Sequence, residues 1–339
     1  MPVTDEQLSG LRVAVLGNFE PEFSTENEYR DAYERNGVAV DTFQEGDPKA
    51  MVDLLGCLRD GTPDFVHWTR TKGLADRLGD AAQWEMLRTA GRAGVPVVGP
   101  HLDIWIGFER EKQIETDPYF RGVDLLLTAD GGNQEAWESY GVNHRWLLPA
   151  ISERWLGLGT PQERYRSKIA FTGSWQGGYH PEAEHRHQLV AWLQETYGDD
   201  VRFYPKKGQH AIRGRELNDL YASVDVVVGD SAVLPGKGFY CSDRIPESLG
   251  RGAYLLHPAT EGIVDQEGGA FKRQDAPLCD YWEMWDWAEL KHRIDDELET
   301  GQWGTAEERQ RRVDWIAEAH TYSHRVREIV DIMNEEGLL

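Results

Sequence analysis

Short runs of consecutive apolar residues recur along the chain, separated by longer segments with the polar and apolar spacing of helices. An apolar run of about four to eight residues is typical of a strand buried on both faces, as in parallel sheets. Alternation of such strands with helices predicts βαβ units. The predicted strands span residues 11–16, 38–43, 64–68, 95–98, 123–128, 168–172, 201–204, 224–229 and 253–256.

A break in this alternation divides the chain into two domains, as its 339 residues also suggest. Pro161 and neighbouring charged residues interrupt the periodicity between Ala150 and Arg166, so we place the linker there. The predicted fold class is α/β, with two Rossmann-like, doubly wound parallel-sheet domains facing a cleft. The predicted parts are a first domain at 1–155, a second at 165–310, and one long helix within 307–339 that packs back on the first domain.

The chain carries a formal net charge of −23, which argues against a broad, nonspecific nucleic-acid surface but leaves a local basic cleft open. Its three cysteines are scattered without paired spacing, which disfavours a disulfide framework or a thiolate zinc site. No apolar run approaches the roughly 20 residues that span a membrane, and the first residues are acidic where a signal peptide is basic. These features predict a cytoplasmic protein.

Residues 239–262, FYCSDRIPESLGRGAYLLHPATEG, read as a short helix, a glycine stop and a buried strand. A loop brings Ser242, Arg244 and Glu247 to the start of that helix, where N–H groups and the helix dipole attract phosphate. Arg244 can grip phosphate oxygens in bidentate fashion, and Glu247 can accept hydrogen bonds from two ribose hydroxyls. The pattern predicts a nucleotide-diphosphate pocket; the alternative is an ordinary helix-to-strand junction with a surface Arg–Glu pair.

Two further loops are candidates for the same ligand. Gly173 and Ser174 follow the predicted strand 168–172, and small residues there allow backbone N–H groups to approach a phosphate. A tight strand-to-helix turn has the same composition, so this signal is weaker by itself. Lys237, in the loop before the Arg244 helix, is a third candidate contact to the diphosphate.

His101 and Asp103 follow another predicted strand, at the edge where open α/β sheets place ligands. Either residue is a candidate general base for an acceptor hydroxyl. The alternative is a packed loop in which Asp103 caps a helix. His67, at a different strand end, is the second-choice base. The G-x-G-x-x-G fingerprint is absent, which counts against a dehydrogenase.

The 239–262 stretch resembles the donor-binding signature of B-fold glycosyltransferases, especially the spore-coat-type (CgeB-like) branch near the large family 4. The opening strand and loop, the glycine-rich loop at 173–178 and the ending H-T-Y-x-H-R-V at 320–326 are also similar to that family. The signature reads S-x-R-x-x-E-x-L-x-x-G-x-x-L-L and is matched by Ser242, Arg244, Glu247, Leu249, Gly252, Leu255 and Leu256.

The resemblance implies the glycosyltransferase B fold and transfer of a sugar from a nucleotide-diphosphate sugar to an acceptor hydroxyl. It implies that Glu247 holds the ribose, with no tightly bound cofactor and no metal. Many retaining family-4 enzymes carry Glu where this chain has Phe239, so the stereochemistry stays open, and inversion would require a base such as Asp103. The implied diphosphate contacts are Gly173, Ser174, Lys237, Ser242 and Arg244.

Alternatives remain for both the activity and the acceptor. A non-catalytic protein that binds nucleotide sugars or glycans, or a B-fold sugar-nucleotide epimerase, would share the same scaffold. The acceptor could be a protein, a glycan, a small molecule or a hydroxymethylated DNA base, the last disfavoured by the net charge. Trp282, Trp285 and Trp287 are closely spaced and favour core packing over a sugar-stacking platform. His320 and His324 favour packing over metal binding.

Overall fold

The computed structural model describes residues 2–173, 184–205, 209–230, 240–260 and 279–339. The chain divides into two compact units. The first comprises Met1–Leu148 with Tyr322–Leu339, and the second comprises Pro149–Thr321. Each unit is built on a parallel sheet with helices in its strand connections, which confirms the predicted α/β class. Of the predicted site residues, Ser174 and Lys237 lie outside the described residues, as does Phe239.

The first unit contains a six-stranded parallel sheet in the order β2-β1-β3-β4-β5-β6. Its strands are β1 (Arg12–Gly17), β2 (Ala39–Gln44), β3 (Phe65–Trp68), β4 (Val97–His101), β5 (Leu125–Thr128) and β6 (His144–Trp146). Its helices are α1 (Asp5–Ser9), α2 (Thr25–Arg35), α3 (Pro48–Arg59), α4 (Gly79–Ala93), α5 (Pro118–Gly122) and α6 (Gln134–Ser139), together with α12 (Tyr322–Glu335).

The second unit contains a five-stranded parallel sheet in the order β11-β10-β9-β7-β8. Its strands are β7 (Ser167–Thr172), β8 (Val201–Tyr204), β9 (Val224–Val228), β10 (Leu255–Pro258) and β11 (Asp280–Trp282). The helices among its described residues are α7 (Glu184–Tyr197), α8 (Gly214–Ala222), α9 (Arg244–Leu249), α10 (Trp287–Thr300) and α11 (Ala306–Ala319).

In each sheet the first strand along the chain has neighbours on both sides, and this strand order determines where a ligand can bind. β1 lies between β2 and β3, and β7 lies between β8 and β9. The connections that leave the two adjacent strands run in opposite directions along the sheet. Their divergence leaves a crevice at the carboxyl ends of those two strands. The crevices are therefore expected beyond β1 and β3 in one unit and beyond β7 and β9 in the other.

The strands that the apolar runs predicted include the buried central strands of both sheets and the edge strands β2 and β8. Val66 and Leu126 lie in the first core, and Phe171 and Val228 lie in the second. The edge strands β6 and β11 have only three residues each and were not predicted. A strand of three residues is too short to show the apolar run of four or more that marks a buried strand.

The single helix predicted near the C-terminus is wrong, because the chain forms two helices there. α11 ends at Ala319, and the next two residues pair with the start of the second unit. The Ile151 amide donates to the His320 carbonyl at 3.1 Å, and Ile151 forms an isolated parallel bridge with Thr321. α12 then belongs to the first unit, where the Tyr322 ring meets Tyr29 edge-on with centroids 4.9 Å apart.

Replacing Gly252 with alanine should lower the free energy of unfolding more than replacing Gly301. Gly301 has a φ of 60° and open space where a Cβ would lie, so alanine there incurs only the left-handed backbone cost of roughly 1–2 kcal/mol. Gly252 has a φ of 78°, and its Cβ would lie 3.1 Å from the Arg309 carbonyl oxygen and also meet Leu158. Overpacking adds about 1–3 kcal/mol. Urea denaturation measures the difference, and equal losses would contradict the close packing at Gly252.

Candidate functional site

The Arg244 side chain lies across the carboxyl ends of β7 and β9, at the crevice of the second sheet. A Cβ on Gly173, which follows β7, would be 2.5 Å from Arg244 Nη2. A Cβ on Gly229, which follows β9, would be 2.8 Å from Arg244 Cδ. The guanidinium also lies over the Phe171 ring, 5.7 Å from its centroid. A side chain at either position would collide with Arg244, so both strand ends require glycine.

A fully buried carboxylate, Asp230, orients this arginine. Asp230 Oδ1 accepts a hydrogen bond of 2.9 Å from Arg244 Nη1, which also donates to the Asp230 carbonyl. Arg186 Nε donates to Asp230 Oδ2 at 2.8 Å. Burial by itself would raise the pKa of Asp230, but the nearby His185 and the charges of Arg186 and Arg244 hold that pKa well below its usual range. The carboxylate is therefore ionised and fixes two cations.

The two ends of the Arg244 guanidinium have different surroundings. Asp230 engages Nη1, whereas Nη2 makes no hydrogen bond to any residue in the described part of the chain and is directed at Gly173. The side chain is 14% exposed. Because Asp230 already holds the guanidinium through Nη1, Nη2 can donate hydrogen bonds to an anion without further loss of side-chain freedom.

Ser242 and Glu247 occupy opposite ends of the first turn of α9. Ser242 Oγ accepts a hydrogen bond of 3.3 Å from the Arg244 amide, just ahead of this six-residue helix, whose N-cap is Asp243. Glu247 forms an ion pair with Arg251, which also donates to the Glu247 carbonyl at 2.8 Å. Arg251 is buried and donates to Asn218 Oδ1 at 3.0 Å. An Arg–Glu pair therefore does form at this junction, between Glu247 and the buried Arg251.

Sequence reasoning missed Asp230, Arg186 and Arg251. Asp230 comes one glycine after the apolar strand at 224–228, and a carboxylate at that position is a usable signal because carboxyl strand ends place ligands. Arg251 lies four residues after Glu247, the spacing of a helical ion pair. Arg186 gives no comparable signal, because its partner is 44 positions away along the chain.

In the first unit, His101 ends β4 and Asp103 follows it. The Asp103 amide donates to His101 Nδ1 at 3.1 Å, so the neutral ring carries its proton on Nε2. Burial lowers the pKa of His101 to about 4, against the opposing charge of Asp103. At neutral pH the ring is therefore a hydrogen-bond donor. Asp103 keeps its carboxylate half-exposed, 3.5 Å from Arg110 Nη1, and caps no helix. Asp103 therefore stays a candidate base.

His67, the second-choice base, is a core residue. Its Nδ1 lies 3.0 Å from the Tyr33 hydroxyl and its Nε2 lies 2.9 Å from Thr69 Oγ1. Burial lowers the pKa of His67 to about 3. With both nitrogens engaged and no exposed surface, the ring is not retained as a candidate base.

Two buried carboxylates that sequence reasoning also missed lie beside the crevice of the first sheet. Glu45 Oε1 accepts from Trp68 Nε1 and Glu45 Oε2 accepts from the Thr71 amide, both at 2.8 Å. Glu26 Oε1 accepts from Thr71 Oγ1 at 3.0 Å. Burial raises the pKa of both carboxyl groups, and that of Glu45 reaches about 7. These groups anchor the loop after β3.

Within the described ranges, no three His, Cys, Asp or Glu side chains lie close enough together to hold a metal ion. No described helix combines the length and apolar character that a membrane crossing requires.

The stability of the fold should depend on pH through Glu45, and replacing Glu45 with Gln should remove that dependence. Burial raises the pKa of Glu45 from 4.5 in the unfolded chain to about 7 in the folded state. Its contribution is therefore fully present below pH 4.5 and is lost as the pH rises through about 7. The free energy of unfolding of wild type, relative to Glu45→Gln, should fall by about 3 kcal/mol across that window. Denaturant unfolding at a series of pH values measures it; a constant difference would contradict the burial of an ionisable group.

The chain resembles solved structures in its fold but matches no family model. No curated protein matches it significantly. A solved structure described as UDP-N-acetylglucosamine 2-epimerase superimposes with a TM-score of 0.43 and 11% identity, covering 97% of this chain and 96% of that one. At this level of similarity, neither a shared activity nor a shared ligand follows from the match.

Proposed function

We propose that the protein is a glycosyltransferase that moves a sugar from a nucleotide-diphosphate sugar to an acceptor hydroxyl. The observation that carries this proposal is the placement of Arg244. Its Nη1 is fixed by the buried Asp230, and its Nη2 is directed at Gly173, beside the strand ends where parallel sheets bind ligands. The likeness of residues 242–256 to a donor-binding signature supports the same proposal.

In the proposed reaction the bond between the anomeric carbon and the diphosphate oxygen breaks, and its electron pair leaves with the diphosphate. The acceptor oxygen forms the new bond to the anomeric carbon and gives up its proton. Negative charge therefore grows on the leaving diphosphate in the transition state. A cation already oriented towards that position stabilises the charge without reorganisation at the moment of reaction. Arg244 is assigned this role, with Asp230 as the residue that positions it.

Glu247 is assigned to the ribose. A carboxylate accepts hydrogen bonds from two adjacent hydroxyls when its orientation is fixed. The ion pair with Arg251, itself held by Asn218, fixes the Glu247 carboxylate. The side chain remains 30% exposed, so a ligand can reach it.

Asp103 is assigned to the acceptor. In an inverting reaction a base must take the proton of the acceptor hydroxyl as the bond forms. The Asp103 carboxylate is exposed, whereas His101 presents a protonated Nε2 beside it. His101 would then contribute a hydrogen bond to the acceptor rather than remove its proton.

The donor pocket predicts which nucleotides and variants show a ligand-induced rise in melting temperature. UDP, GDP, dTDP and ADP would be tested against wild type, Arg244→Ala and Glu247→Ala, with inorganic pyrophosphate as a probe without base or ribose. At 100 times its dissociation constant, a ligand stabilises the fold by about 2.7 kcal/mol. Loss of a charged hydrogen bond should weaken binding about 10- to 150-fold. Arg244→Ala should lose both kinds of ligand, and Glu247→Ala only the nucleotides.

Arg293→Ala provides the matched control, because it removes an arginine of the same unit that pairs with Asp280 at the opposite, amino end of β11. This variant should show the same ligand-induced rises in melting temperature as wild type. The donor pocket would be disproved if no nucleotide raised the melting temperature of wild type, or if Arg293→Ala lost binding as fully as Arg244→Ala.

Replacing Asp103 with Asn should lower the rate of transfer about 10²- to 10⁴-fold while nucleotide binding is unchanged, because the proton acceptor is removed and the donor contacts remain. The assay follows a nucleotide sugar by NMR in the presence of candidate acceptors. Transfer releases the free nucleotide diphosphate. Formation of an isomeric nucleotide sugar without such release would instead identify an epimerase, and an unchanged rate in Asp103→Asn would remove this residue from the mechanism.

A further inference from the structure

Trp285 occupies a strained position in the turn between β11 and α10. It is the one non-glycine residue in the described part of the chain with a positive φ, 74°. The Asp286 amide donates to the Glu283 carbonyl at 2.9 Å, so Trp285 is the third residue of a β-turn. A positive φ at that position is normally supplied by glycine or asparagine, and a bulky residue there is an outlier.

The surrounding chain holds this turn in place. The Trp287 amide donates to the Trp285 carbonyl at 3.1 Å, and the Glu283 amide donates to Glu289 Oε2 at 2.8 Å. Asp286 Oδ1 accepts the Glu289 amide at 2.9 Å and caps α10. A backbone outlier that is maintained by so many contacts is characteristic of ligand sites rather than of ordinary connections.

The three neighbouring tryptophans have different environments. Trp282 is completely buried, and Trp287 stacks on Trp192 with centroids 5.4 Å apart. Both therefore pack in the core, as the sequence favoured. Trp285 is 36% exposed, although an indole gains most by burial. The Trp285 ring also meets Trp287 edge to face, with centroids 5.8 Å apart, so core packing accounts for only part of its surface.

Trp285 is connected to the proposed donor site through one side chain, His185. The two rings meet edge to face, with centroids 5.9 Å apart. His185 Nε2 lies 3.2 Å from Asp230 Oδ2, and Asp230 orients Arg244. The turn also follows the carboxyl end of β11, at the same edge of the sheet as Gly173 and Asp230. Trp285 therefore lies at the same edge of the second sheet as the position assigned to the diphosphate and is linked to Asp230 through His185.

We propose that Trp285 is the platform on which the nucleobase of the ligand stacks. This inference rests on the proposed function, because it adds a contact to the same donor site. Every nucleobase presents an aromatic face, and stacking on a tryptophan strengthens binding without requiring one particular base.

The test compares wild type with three replacements of Trp285 by isothermal titration calorimetry. UDP, GDP, dTDP and ADP serve as ligands with a base, and inorganic pyrophosphate as the ligand without one. Trp285→Ala should bind the nucleotides roughly 5- to 150-fold more weakly and pyrophosphate as well as wild type does. Trp285→Phe should lose less, because it keeps an aromatic ring.

Trp285→Gly separates the ring from the turn. Glycine suits a φ of 74°, so this variant should melt at a higher temperature than Trp285→Ala yet bind nucleotides equally poorly. Nucleotide binding at the wild-type level by Trp285→Gly or Trp285→Ala would overturn the inference and leave the donor pocket intact. A loss seen with UDP-glucose but not with UDP would assign the ring to the sugar and overturn it as well. Failure of wild type to bind any nucleotide would overturn both proposals together.

Discussion

The buried carboxylate of Asp230 is the constraint on which the candidate donor site depends. An ionised group without solvent is stable only when cations surround it, and Arg186 and Arg244 supply them from the starts of α7 and α9. The same contacts orient the Arg244 side chain. The ion pair that offsets the cost of burying the Asp230 charge therefore also sets the orientation of the candidate site. Asp230 itself is fully buried; its proposed effect on the ligand is exerted through Arg244.

The topology of the two sheets determines which residues can take part in such a site. Parallel strands carry their connecting loops to one edge, and the divergence of the chain beyond β7 and β9 leaves space there. Gly173 and Gly229 make that space usable, since a side chain at either position would collide with Arg244. In the first unit the corresponding edge carries Glu26, Glu45 and Thr71, whose mutual hydrogen bonds hold a loop.

Polar groups divide into those whose hydrogen bonds are completed within the fold and those directed outwards. His67 and His144 have a partner at each ring nitrogen and behave as core residues. Arg244 instead lies so close to Gly173 and Gly229 that a Cβ at either position would collide with it. Trp285 has a positive φ, which a bulky residue rarely adopts. Natural proteins tolerate such departures mainly where they serve a function, which is why the proposals centre on these two residues.

The sequence by itself determined the α/β class, the central strands of both sheets and the helix–glycine–strand junction at residues 244–258, because apolar runs and glycine stops act over short distances. The short edge strands β6 and β11, the division between α11 and α12, and the pairing of Asp230 with Arg186 were decided only by tertiary structure. Those features depend on groups far apart in the chain, as with Ile151 and Thr321, whose pairing no local pattern encodes. The same holds for chemistry: His101 and Asp103 looked equivalent as bases until a backbone hydrogen bond fixed the proton of one ring.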